Sequence, residues 1–183
     1  MEIVDIVRSA AWYLGVLDKL DAYLDEDDDE WYTLAQDLLR AFNNVEKQLA
    51  LEYLPLYEKE YFETETGEVC FDEFSYPVIR IVNVYNEQGE KQAFTLMPYY
   101  LRTTPGVLSI EYAYTPYEKD LYEQTDHHLH VAQPLYVYGI LAEYYLSRGE
   151  FEQAAIWDKK YKDAISATYQ TQKGKRMPSR GWV

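Results

Sequence analysis

All three histidines of the chain crowd into one short stretch, Asp126-His127-His128-Leu129-His130. Imidazole and carboxylate groups are the ligand types of zinc and its relatives, and His127 and His130 share a face if the stretch is helical. The spacing is loose, and Asp126 serves equally well as the cap of a following helix with exposed histidines beside it. No metal site is assigned on this pattern. The one cysteine, Cys70, lies in Glu68-Val69-Cys70-Phe71-Asp72. A thiol nucleophile needs a base and a group to orient that base, and nothing around Cys70 forms a nucleophile turn. It reads as a partly buried strand thiol. The acidic run Asp25–Glu30 lacks the glycine and the spaced oxygen ligands of a calcium loop. It reads as a solvated loop whose last acids oppose the dipole of the next helix. With 32 acids, carboxylate pairs arise by chance, so none is nominated as an acid–base couple. Glycines occur in turns such as Thr66-Gly67, and no phosphate-cradling loop is present. The expectation is a protein without catalysis, cofactor or metal.

The residues that could act on a partner lie at the other end of the chemistry scale. The segment Lys173–Val183 holds Lys173, Lys175, Arg176 and Arg180, four of the 17 basic residues, and no acid. It also carries Trp182. In a chain of formal charge −15, this is a cationic strip with an aromatic anchor. Trp and Arg are the side chains that most often dominate binding energy at interfaces, so these five residues are the candidate partner-binding set. The acidic remainder is a poor match for phosphate backbones, whose neutralisation takes Lys and Arg. The 20 tyrosines fit two descriptions equally, half-buried sheet residues or contact residues.

The elements that must position these groups follow from spacing. Ile3, Ile6, Val7, Ala10 and Leu14 recur at helical intervals, and Gly15 closes the helix. A short helical piece over 17–24 follows. Trp31, Leu34, Ala35, Leu38, Phe42, Val45, Leu49 and Tyr53 predict a long second helix that Pro55 ends. The period then changes to two. Segments 57–62 and 68–74 flank Thr66-Gly67 as a hairpin, and further strands are expected over 78–85, 91–102 and 107–114. Leu108, Ile110, Tyr112 and Tyr114 share one strand face. Helices return over about 127–170, broken at Gly149. The expected architecture is α+β. It is a mainly helical domain over 1–171 with N-terminal helices, an inserted antiparallel β-meander and a C-terminal helical hairpin, then the basic tail 172–183. A single cysteine, no basic n-region and no long apolar run predict a soluble intracellular protein.

Two resemblances stand beside this. Tyr144-Tyr145-Leu146-Ser147-Arg148-Gly149-Glu150-Phe151-Glu152-Gln153-Ala154, with Tyr161 and Ala164, is similar to one tetratricopeptide unit. No second copy precedes it, and stacked repeats need neighbours. The whole chain resembles the head–tail connector (adaptor, neck) proteins of tailed bacteriophages and prophages. The likeness runs through the opening helix Ile3–Val16, through Leu38–Ala50 and Glu52-Tyr53-Leu54-Pro55-Leu56, and through the terminal hairpin to Met177-Pro178-Ser179-Arg180-Gly181-Trp182-Val183. It implies a helical virion subunit with an inserted β region, forming a ring, usually twelve-fold, below the portal. Such a ring continues the DNA channel, touches packaged DNA passively, and gives tail or stopper proteins a landing surface. It also implies assembly in the host cytoplasm, residence in the virion neck and no membrane contact. The tetratricopeptide-like hairpin implies the alternative, a bacterial adaptor that binds a protein partner.

Overall fold

A computed structural model describes residues 1–26, 29–127 and 131–172. The chain forms two compact units, Lys47–Glu118 being inserted into the remainder. This is the expected α+β class with helices at both ends.

The helical unit opens with α1 (Ile3–Leu14), whose buried residues Ile3, Val4, Ile6, Val7, Ala10 and Ala11 follow the helical spacing. Gly15 ends it in the left-handed conformation at φ 69°, where a side chain would be strained. Helix α2 (Leu17–Glu26) extends into the acidic run expected to be a loop, and a 3-10 turn covers Asp29–Trp31. Acids are ordinary helix formers, so the amphipathic pattern of Leu17, Leu20 and Leu24 carries through them. Next comes α3 (Tyr32–Gln48), buried at Ala35, Leu38, Leu39, Phe42 and Val45.

The last two helices form an antiparallel hairpin, α4 (Gln133–Ser147) and α5 (Phe151–Gln172). Helix α4 begins later than the expected residue 127. Ala132 is its cap and Pro134, which has no N–H to donate, occupies its first turn. Gly139 allows close helix packing: a Cβ there would stand 2.8 Å from both methyls of Val45 and 3.1 Å from Tyr161 Cε2. Phe42 and Tyr136 pack with ring centroids 5.4 Å apart. At the N-terminus, the Ile3 N–H donates to Glu123 O (3.0 Å) and the Thr125 N–H to Met1 O (3.1 Å), tying α1 to the segment before α4.

The inserted unit holds six strands, β1 (Leu56–Thr64), β2 (Glu68–Cys70), β3 (Val78–Asn86), β4 (Thr95–Leu96), β5 (Tyr100–Arg102) and β6 (Gly106–Tyr114). They make two antiparallel three-stranded sheets, ordered β1-β6-β3 and β2-β5-β4. The expected meander is not the connectivity observed. Strand β6, the most buried of the six, takes the centre, and Leu108, Ile110, Tyr112 and Tyr114 join the core with Val69, Phe74 and Val84. The charged β1 is left at an edge, where acids and lysine discourage further pairing.

Thr66-Gly67 is a turn but not a hairpin, because β1 pairs with β6 and β2 with β5. Gly67 has φ 77°, and a Cβ there would stand 2.2 Å from the Thr103 carbonyl oxygen. Its own carbonyl accepts the Thr103 N–H at 2.8 Å. The glycine serves a close backbone crossing. The expected strand 91–102 is reduced to β4 and β5, since Pro98 supplies no ladder donor and the chain turns back there through Met97 N–H to Tyr100 O (2.9 Å).

Candidate interaction surface

Helix phase sets which aromatic groups of the helical unit face outward. On α1 the core stripe is Ile3, Ile6, Val7 and Ala10, so Trp12 and Tyr13 fall off it and stand 63% and 48% exposed. They start a connected aromatic strip. Trp12 and Tyr13 meet edge-on at 5.0 Å, Tyr13 meets Trp157 of α5 at 5.5 Å, and Trp157 meets Tyr138 of α4 at 5.8 Å. Lys160 lies over the Trp157 ring, its Nζ 3.9 Å from the centroid. Phe151 and Ile156 of α5 and Leu146 of α4 are exposed as well. An indole or phenol left in water forgoes the stabilisation that burying its roughly 150–250 Å² would bring, and such rings are enriched where proteins meet.

Beside the strip, α1 and α2 enclose an open groove of about 410 Å³ lined by Arg8, Ser9, Trp12, Tyr13, Leu17 and Asp21. The Arg8 guanidinium donates through Nε to Asp21 Oδ1 at 2.8 Å, a half-exposed pair that links the two helices. The Gln133 amide donates to Ser9 Oγ (2.9 Å) and to Asp5 O (3.1 Å), locking the start of α4 onto α1. The groove thus offers aromatic faces, one ion pair and little else that is polar.

A second polar arrangement is buried. Glu46 is 1% exposed and sits on the same stripe of α3 as Phe42 and Val45. Its Oε1 accepts the Asp126 N–H at 2.8 Å and the Tyr136 hydroxyl at 3.3 Å, and His127 Nδ1 lies 3.9 Å from it. Burial first, then the Glu46 charge, push the Tyr136 phenol far above its ordinary range, so it stays a donor. Nearby, the Asn43 side chain pairs with the backbone of Lys119 in both directions, at 3.1 and 2.9 Å. Lys119 Nζ pairs with Asp126 at 2.9 Å, and despite the burial that opposes its charge the Asp126 contacts raise its pKa. Together these bonds hold segment 119–127 against α3, an anchoring role.

The structure treats the candidates read from sequence unevenly. Lys173, Lys175, Arg176, Arg180 and Trp182 lie outside the described residues, as do His128 and His130. His127 is not an exposed neighbour of a helix cap: it is 6% exposed, because the chain enters α4 six residues later and Glu46 draws this segment inward. Among the described residues no group of three or more His, Cys, Asp or Glu side chains is placed to hold a metal ion. Cys70 is exposed, not partly buried, since in the three-residue β2 only Val69 takes the inner face. Desolvation and the hydrogen bond and charge of Glu73 raise its pKa, which keeps the thiol protonated.

The tyrosines divide between both descriptions. Tyr112, Tyr136 and Tyr161 are core residues, whereas Tyr57, Tyr61 and Tyr99 of the β unit are exposed. Sequence reasoning missed Trp12, Tyr13, Glu46 and Gly139. Helix phase held the signal for the first three, and an isolated glycine inside an apolar helix held it for the last. No helix among the described residues is long and apolar enough to cross a membrane. No protein-family model matches the chain, and no curated protein sequence is significantly similar to it.

Proposed function

We propose that this chain is a non-enzymatic virion structural protein, a head–tail connector subunit of the tailed-phage and prophage type. It acts by forming a ring between portal and tail proteins and continuing the channel through which DNA passes. The observation that carries this is the aromatic strip Trp12-Tyr13-Trp157-Tyr138, exposed at Trp12 and Tyr13 and half-buried at Trp157 and Tyr138, which supports reading the helical unit as a contact-forming body. The arrangement of helices at both ends with strands inserted between them is the one the connector resemblance implies. The formal charge of −15 suits a surface that DNA passes without adhering. The alternative adaptor reading uses the α4–α5 hairpin as a peptide-binding unit. Gly139 favours the connector instead, because that face of the hairpin is filled by Val45 of α3.

Head-to-tail contacts between identical subunits close into rings only when geometry is enforced, so the isolated protein is expected to be a monomer or small oligomer. Mixed with a cognate portal protein, it should co-purify and form rings visible by electron microscopy. Failure to co-purify under any condition, together with its absence from particles by mass spectrometry, would remove the neck assignment.

A further inference from the structure

We propose that the groove between α1 and α2 binds a basic, tryptophan-bearing peptide segment, and that its occupant is Lys173–Val183 of the same chain. This is independent of the connector reading. Three observations meet here. The groove is one into which an indole fits by shape and chemistry, about 410 Å³ of open space walled by Trp12, Tyr13 and Leu17, with the Arg8–Asp21 pair in its lining. Aromatic rings stack edge-to-face on one another, and an inserted Trp182 would add to the stack that Trp12 and Tyr13 already form at 5.0 Å.

Charge points to the same occupant. Helix α2 and the residues directly after it, Asp18 to Glu30, carry eight acids against one lysine. This is the densest negative stretch of the chain, and in sequence it begins directly after Leu17 of the groove wall. The segment Lys173–Val183 carries four cations and no acid. Each exposed ion pair is worth little, so the charges orient the segment while the indole anchors it.

Reach selects the same chain over a second copy. Trp157 stands 5.5 Å from Tyr13. From Trp157 to the end of α5 at Gln172 is fifteen residues, or about 22 Å at a helical rise of ~1.5 Å per residue. The ten residues from Gln172 to Trp182 span up to about 33 Å when extended. The segment can therefore turn back along α5 and reach the groove. A tethered segment that spans its site binds at millimolar effective concentration, well above that of dilute free chains.

The test uses the full chain. A nitroxide is attached at Gly181→Cys in a Cys70→Ser background, and the indole N–H resonances of the ¹⁵N-labelled protein are followed by NMR. The Trp12 indole signal should be lost in the oxidised label and return on reduction, equally at low and high protein concentration. Trp182→Ala in the labelled chain should restore most of that signal. Raising salt should restore part of it. An unaffected Trp12 signal overturns the proposal. So does loss of signal that appears only when spin-labelled, unenriched chain is mixed with ¹⁵N chain, which would make a second copy the occupant. None of these outcomes depends on portal binding or ring formation, so the proposal and the connector reading stand or fall separately.

Discussion

Replacing Gly139 by alanine pits helix propensity against packing, and the structure decides which wins. Alanine is favoured over glycine in a helix interior by about 1 kcal/mol. Against that, the new methyl would stand 2.8 Å from both Val45 Cγ1 and Cγ2 and 3.1 Å from Tyr161 Cε2. Carbon atoms pack best at about 3.5–4.0 Å, so two contacts fall roughly 1 Å inside the optimum. Val45 cannot rotate away, because a helical valine has one strongly preferred rotamer and both methyls already face the glycine. Tyr161 is buried too, so α4 must move as a body. Overpacking of this kind costs about 1–3 kcal/mol, with two-sided contact placing it at the upper end. The net expectation is destabilisation by about 2 kcal/mol, or a fall in Tm of ~4–8 °C for a chain of this size.

The assay is thermal and urea unfolding followed by tryptophan fluorescence. No tryptophan lies in Lys47–Glu118, so this signal reports the helical unit. Val45→Ala alone opens a cavity and should also destabilise. In the double variant the methyl added at position 139 occupies part of the space that Val45 gives up, so the two effects should be less than additive by about 1 kcal/mol or more. A rise in Tm for Gly139→Ala, or strict additivity in the double variant, would refute the close packing of α4 on α3 and α5.

Three further outcomes follow. Glu46→Ala removes the acceptor of the Asp126 N–H and the Tyr136 hydroxyl, so it should cost about 2–4 kcal/mol in urea unfolding, whereas Glu46→Gln keeps an acceptor and should cost less than half as much. Equal losses for the two variants would sink the anchoring role. The Tyr136 pKa is raised in the folded state, so its contribution is fully present below the ordinary phenol value of 10.0 and is lost as pH rises above it. Over that alkaline range Tyr136→Phe should flatten the decline of stability by up to about 1.4 kcal/mol per pH unit, and an unchanged slope counts against the assignment. Gly67→Ala meets both a left-handed φ and the Thr103 carbonyl, so it should destabilise the β unit by at least about 2 kcal/mol, read from hydrogen exchange of the β6 backbone amides, while tryptophan unfolding of the helical unit serves as the reference. A neutral effect would mean that the two backbone segments do not cross there.

The parts of this fold that were legible in the sequence are those written locally. Ile3, Ile6, Val7 and Ala10 give α1 its phase, and Gly15 marks its end, because both signals depend on neighbours within one turn. Pairing of strands is a long-range choice, and a period of two does not name the partner. Nothing local to β1 says that Leu56 pairs with Tyr114, fifty-eight residues on, and not with β2 across the Gly67 turn. Alternation gives strand β6 one apolar face, yet Ser109 and Ala113 on the other face are buried too, as befits a central strand. The two-residue turn signal at Thr66-Gly67 was genuine in its demand for positive φ and silent about what followed it.

The site divides along the same line. Glu46 follows Phe42 by four residues and Val45 by one, and Leu49 comes three later, so its phase alone puts a carboxylate on the buried stripe. Charge normally argues for the opposite face, and that prior hid it. Among the 32 acids it is the one described carboxylate in the core, and it keeps its place by accepting from a backbone amide and a phenol that burial prevents from ionising. Trp12 and Tyr13 are the reverse case, rings whose phase puts them outside. A carboxylate inside and indoles outside both contradict the simple sorting of polar from apolar. The first contradiction is met within the helical unit by the two hydrogen bonds that Glu46 Oε1 accepts, although Oε2 is buried without a partner. The second is not resolved there, since Trp12 stays 63% exposed in a groove whose wall leads in sequence into dense negative charge. An aromatic group carried on a basic segment would complement an exposed indole in such a groove, and the chain itself encodes one.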